Sequence, residues 1–157
     1  MKKALHPSNL EGHLGYWLRC LSNFVSESFA KKLSMHNISV AQWVLLRILY
    51  DNSGITLNNI SQLIGIDKSS ASRMVERLVQ RKLIHRTAGE DRRSIGLTLT
   101  NTAEKLIPQL AKLADDNDKV FFKNLTSKQR KDFLLIIKQL LKDNGWTSTT
   151  HGNTRIK

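Results

Sequence analysis

Between Lys68 and Arg93 the chain carries eight cations, Lys68, Arg73, Arg77, Arg81, Lys82, Arg86, Arg92 and Arg93, against only three carboxylates, Glu76, Glu90 and Asp91. Lys68, Ser69, Ser70, Ser72, Arg73 and Arg77 open this stretch, and their hydroxyl, ammonium and guanidinium groups are the kinds that hold phosphates and read base edges. A second group, Asp91-Arg92-Arg93, closes it, with two long cations beside a carboxylate able to orient them. Over all 157 residues, 25 Lys and Arg oppose 13 Asp and Glu, a formal charge of +12 that points to a polyanionic partner. A solvated basic surface has the same composition, so the uneven placement of the charge is the informative feature.

Other chemistry finds little support. The five histidines, His6, His13, His36, His85 and His151, are scattered, and no His, Cys or carboxylate group has metal-ligand spacing. No nucleophile-and-base pattern or phosphate-cradling glycine loop is present. The expectation is therefore a protein that is not an enzyme and needs neither metal nor cofactor. The single cysteine, Cys20, has no intramolecular disulfide partner, which favours a reducing compartment. The polar residues from His6 to Glu11 interrupt any signal-like apolar run, and later apolar runs are broken by Arg47, Lys123 or Lys138. A cytoplasmic location with no membrane partner follows as the expectation.

The basic group must be positioned by helices. Residues 9 to 35 place Leu14, Trp17, Leu18, Leu21, Phe24, Val25 and Phe29 at helical spacing, and Ser8 with Glu11 predicts a capping box at the start of one long helix. A second helix is predicted from Ser39, with Gln42 three residues on, an apolar face at Trp43, Val44, Leu46 and Leu49, and an end in Asp51-Asn52-Ser53-Gly54. Leu57 to Ile64, a turn at Gly65-Ile66, and Asp67 to Lys82 then have helix-turn-helix spacing. Asp67 is the expected N-cap of the second of these helices, which should cross its neighbour closely at Ala71. Helical hairpins with a glycine turn also occur in bundles that bind nothing, so the following segment matters.

That segment reads as a β-hairpin. Ile84 to Thr87 and Ser94 to Leu99 have strand character, with Ile95, Leu97 and Leu99 alternating against Ser94, Gly96 and Thr98. The polar loop from Ala88 to Arg93 puts two arginines at its tip, suited to the narrow, electronegative minor groove. Helix returns after Thr100, with Asn101 and Glu104 as a capping pair and Pro108 predicting a kink or a delayed start. A last helix opens with the capping box Thr126 to Gln129 and carries a wide apolar stripe: Phe133, Leu134, Ile136, Ile137, Leu140 and Leu141. The first and last helices carry more apolar surface than a small module can cover alone, which predicts a homodimer, with Ile137 midway along the widest apolar stripe. The polar tail from residue 144 to 157 is expected to be disordered.

From about Leu10 to Leu141 the chain resembles the MarR family of bacterial regulators, the multiple-antibiotic-resistance type. The most specific likeness is Asp91-Arg92-Arg93-Ser94 followed by Leu97-Thr98-Leu99-Thr100, similar to the family's Asp-x-Arg and Leu-Thr-Leu-Thr wing pattern. One departure is Ala103, where the family usually has glycine. The resemblance implies a mainly α fold with a small β-wing: a winged helix-turn-helix at residues 38–100 and a helical dimerisation region at 8–37 and 101–143. It implies a sequence-specific transcription regulator, commonly a ligand-responsive repressor, binding double-stranded DNA at a near-palindromic operator as a homodimer. An architectural protein that bends DNA without a specific operator is the alternative.

The resemblance also implies a small anionic or phenolic effector in the crevice between the two regions, where Tyr16, Trp17, Trp43 and Arg47 become candidates. Core packing is the competing reading for Trp17 and Trp43, and Arg47 either pairs with a carboxylate or awaits an anion. One branch of the family senses hydroperoxides through a first-helix cysteine, but at the corresponding place this chain has Gly15. Cys20 reads as an inert, half-apolar side chain.

Overall fold

A computed structural model describes residues 7–88 and 95–147. Its helices are α1 (Leu14–Leu33), α2 (Val40–Asp51), α3 (Leu57–Ile64), α4 (Lys68–Gln80), α5 (Asn101–Phe121) and α6 (Ser127–Asp143). Its strands, β1 (Ile55–Thr56), β2 (Ile84–Ala88) and β3 (Ile95–Leu99), form one antiparallel sheet in the order β1-β3-β2. The fold is mainly helical with a small three-stranded wing, as expected, although β1 was not foreseen. Among the described residues, no helix is long and apolar enough to cross a membrane.

The start of the chain differs from the single helix expected over residues 9 to 35. A 3-10 turn at Leu10–Gly12 is capped by Asn9, and the chain is extended at His13 before α1 begins at Leu14. Gly12 lowers the preference for helix here, and the Glu11 carbonyl is taken by the Trp17 indole N–H at 2.7 Å. Ser8 contacts His13 at 2.9 Å and forms no capping box with Glu11. At the other end a 3-10 turn, Ser34–His36, extends α1 and stops at Asn37, whose φ of 54° is left-handed.

The remaining caps follow the local chemistry. Ser39 with Gln42 and Thr126 with Gln129 form complete capping boxes on α2 and α6. α5 is capped by Thr100, whose hydroxyl accepts the Ala103 N–H, and not by Asn101. α5 is continuous through Pro108 and begins seven residues ahead of it, so the start is not delayed. The buried residues Ala103, Ile107 and Leu110 bracket the proline and hold this turn against the core.

The core lies where the middle of the chain meets the end of α1 and the first half of α5. Leu33, Leu45, Leu46, Leu49, Ile60, Leu78, Ile84 and Leu110 are fully buried within it. On α2 the buried face is Leu45, Leu46, Ile48 and Leu49, while Trp43 and Val44 pack at its margin. In β3 the expected alternation holds for Leu97 and Leu99, but Ile95 is exposed. β1 pairs only with Gly96 and Leu97, so Ile95 lies beyond the end of that strand, opposite Ala88.

Gly96 is where the sheet leaves no room. A Cβ there would lie 2.8 Å from the Gly54 carbonyl oxygen and 3.0 Å from the Thr87 hydroxyl, and Gly54 is itself tied through its N–H to the Leu97 carbonyl. Gly96→Ala is expected to destabilise the fold by about 1–3 kcal/mol, as overpacking of a fixed backbone does. Denaturant unfolding of the two proteins measures it.

Candidate nucleic-acid interface

The interface starts at the turn between α3 and α4. Gly65 ends α3 at a left-handed φ of 71°, its N–H donates to the Ser61 carbonyl at 2.9 Å, and Ile66 returns to the same carbonyl at 3.1 Å. Asp67 then caps α4, its carboxylate accepting the Ser70 N–H at 2.8 Å. Bonding to Ser70, helped by the nearby Arg73 guanidinium, holds the Asp67 carboxyl below its ordinary value.

α4 has two distinct faces. Ala71, Val75 and Leu78, at helical spacing, are buried against the core. Lys68, Ser69, Ser72, Arg73 and Arg77 are exposed on the rest of its circumference. Among the described residues none of these three cations has a carboxylate within ion-pair distance. Ser70 is half-buried, and its hydroxyl accepts from the Arg73 guanidinium at 3.1 Å, so it orients Arg73 as well as receiving the cap.

The wing is braced on this helix. Arg86 of β2 pairs with Glu76 of α4 at 2.7 Å, which neutralises the one carboxylate of α4. Asp91, Arg92 and Arg93 lie outside the described residues. The resulting surface is a convex helix with bare cations and hydroxyls, rigidly backed, beside a two-stranded stem: geometry suited to a groove lined with phosphates. Sequence reasoning missed the Glu76–Arg86 pair, whose partners are ten residues apart on different elements.

Residues 38–95 match the model of the MarR family. The chain is 27% identical to the HTH-type transcriptional regulator MgrA of Staphylococcus aureus over 109 residues, which are 68% of this chain and 74% of that one. Its structure is similar to that of a MarR transcriptional regulator from Methanosarcina mazei, with a TM-score of 0.75 and 26% identity, covering 83% of this chain and 94% of the other. A MarR variant from E. coli complexed with operator DNA has the same fold at a TM-score of 0.75 and 23% identity, covering 82% and 93%.

The chain carries a MarR-family segment at residues 38–95. It is a winged helix-turn-helix transcription regulator, and α4 occupies the position of the second helix of that motif. Among the described residues no group of three or more His, Cys, Asp or Glu side chains could hold a metal ion.

The effector candidates fall into two groups. Tyr16 and Trp17 stack edge to face at 5.2 Å near the start of α1. Trp43 packs on Phe29 at 6.2 Å, twelve residues or about 18 Å further along α1. Arg47 lies one turn beyond Trp43 on α2, paired with Asp51 and placed over the Tyr50 ring at 5.3 Å. Of the two readings of Arg47, carboxylate pairing is the one observed. Cys20 is half-buried, and a hydrogen bond with it raises the Tyr16 hydroxyl above its ordinary value.

The Asp67 cap has a pH signature. Its folded value is depressed, so its stabilisation is complete above the ordinary value of 3.8 and is lost as pH falls through the lower folded value. Asp67→Ala is expected to melt below the native protein at neutral pH, with the two melting temperatures converging as the pH drops under 3.8. Thermal melts over an acid series check this.

Proposed function

We propose that this regulator is a cytoplasmic homodimer that binds a near-palindromic operator and represses transcription. The observation that carries the reading is the bare, basic face of α4, in which Lys68, Ser69, Ser72, Arg73 and Arg77 are exposed while the opposite face is buried. In this reading Lys68, Ser69, Ser70, Ser72, Arg73 and Arg77 meet the major groove, where Ser69, Ser70 and Arg73 approach base edges and Lys68 and Arg77 contact bases or backbone. Arg93 enters the minor groove with Asp91 bracing it, and Arg92 meets phosphate. A MarR variant from E. coli with the same fold is complexed with operator DNA, which supports a DNA partner for this chain.

The dimer is supported by apolar surface that one protomer leaves uncovered. Leu14, Leu18 and Phe24 on α1, and Leu134, Ile136 and Leu140 on α6, are each at least half exposed. A cavity of about 360 Å³ lined by Leu21, Phe121, Phe122 and Phe133 lies at the elbow between α5 and α6. A second copy covering these faces makes residues 8–37 and 101–143 the dimerisation region and residues 38–100 the reading head. Two heads about 34 Å apart then meet successive major grooves. The stripe is centred differently from the sequence expectation: Ile137 is half-buried within its own protomer, while Ile136 and Leu140 face outward.

A small anionic or phenolic effector completes the reading. Trp43 and Arg47 share one face of α2, and an anion there competes with Asp51 for the guanidinium. The architectural alternative differs in one measurable respect, since it has no operator that outcompetes bulk DNA at fixed salt.

Selection of bound duplexes from a random pool is expected to return a two-fold symmetric motif, and a pool without enrichment would sink the operator reading. Against that motif Arg73→Ala is expected to weaken binding by about 1–3 kcal/mol and relax one position per half-site. Equal binding of native and variant protein removes the assignment of Arg73. Leu140→Glu places a charge in the proposed interface, costing several kcal/mol if unpaired, and is expected to give monomers in sedimentation. A variant that stays dimeric shows that this face of α6 is not the interface.

A further inference from the structure

The C-terminal end of α4 is fastened by contacts that its DNA-facing residues do not use. Arg81, the first residue past the helix, turns its guanidinium toward the end of the first helical arm. Its Nη1 donates to the Asn37 carbonyl and its Nη2 to the His36 carbonyl at 3.0 Å. These carbonyls belong to the last residue and the C-cap of the 3-10 turn that extends α1. The next residue, Lys82, has a left-handed φ of 55°, an unfavourable conformation for a residue with a Cβ, and its carbonyl accepts the Thr100 hydroxyl at 2.8 Å. The Thr100 N–H donates to the Leu83 carbonyl at 3.0 Å, and Thr100 is the N-cap of α5. The turn after α4 is therefore joined to the end of α1 on one side and to the start of α5 on the other.

We propose that Arg81 is a positioning residue that sets the angle of the recognition helix against the dimerisation helices, and with it the separation of the two reading heads, without touching DNA. This rests on the reading of the chain as a dimeric operator binder. The planar guanidinium spans two successive carbonyls, which fixes direction as well as distance; a lysine ammonium supplies the charge but not the fork. The leverage is large. α4 has 13 residues and is about 20 Å long, so a tilt of roughly 10° at this joint moves its far end by roughly 3.4 Å, the rise of one base pair. A head free to tilt loses the correspondence between protein geometry and half-site spacing.

The test compares native protein with Arg81→Lys and Arg81→Gln on three kinds of duplex: the selected operator, the same half-sites with the spacer changed by one or two base pairs, and non-specific DNA across a salt series. Sedimentation and thermal melts run in parallel. Both variants are expected to lose about tenfold in affinity at the native spacing and less at altered spacings, with the salt slope on non-specific DNA unchanged. Arg81→Lys binding like the native protein, while Arg81→Gln loses about one phosphate from the slope, would identify a backbone contact and overturn the proposal. A loss equal at every spacing overturns it too, as does failure of both variants to form a folded dimer, because a strut restrains an angle and does not hold a core. Native protein with no spacing preference at all refutes the underlying dimeric reading, a result read before any variant is compared.

Discussion

The basic face of α4 depends on the burial of the opposite side of the same helix. Ala71 and Leu78 have no exposed surface and Val75 almost none, so the helix is held against the core from Ala71 to Leu78. The small Ala71 side chain lets α3 approach, and the left-handed Gly65 and the Asp67 cap allow two helices to meet within a three-residue turn. Because the packed face is apolar and continuous, the other face can carry bare cations and hydroxyls without costing the helix its stability. The Glu76–Arg86 pair works to the same end: it ties the wing stem to α4 and neutralises the one carboxylate of its basic surface.

The helical arms obey a different balance. α1 contributes only Phe29 and Leu33 to the buried core, both from its last turns, and α6 contributes no buried residue. Between α1 and α5 sits a buried polar contact: the Ser28 hydroxyl donates to Asn117 Oδ1 at 2.7 Å, and Asn117 Nδ2 donates to the Val25 carbonyl at 3.4 Å. Asn117 is 2% exposed, and a buried amide that loses these partners is costly, so this contact fixes the register of the two helices where apolar packing alone would tolerate sliding. Beyond it the arms diverge from the core as amphipathic helices whose apolar stripes have no cover within the protomer.

Much of this was legible in the residues. The capping boxes at Ser39 and Thr126, the Asp67 cap and the Gly65 turn all depend on groups no more than five residues apart, and each is present as read. The basic face of α4 was equally legible, since helical period and residue type decide together which side chains share a face. The start of the chain was misread because Ser8 and Glu11 have capping spacing, whereas Gly12 and the Trp17 indole favour a break before Leu14. β1 was missed because two residues carry no periodicity; only Gly54 followed by the β-branched Ile55 and Thr56 hinted at it.

The positions of most helices, the caps of α2, α4 and α6, the polarity of α4 and the surplus of apolar surface in the first and last helices are readable in the residues, because each depends on groups near one another along the chain. Tertiary structure alone decided which polar groups found each other. Glu76 of α4 met Arg86 only because the wing stem folds back beside that helix, and Ile95 shared an alternating strand with Leu97 yet lies outside the core where β1 ends. Arg81 was one cation among eight until folding brought it to carbonyls 44 and 45 residues earlier in the chain. A hydrogen-bonding group is satisfied by whatever donor or acceptor the fold brings within about 3 Å, and that distance is set by packing between elements and not by the order of residues.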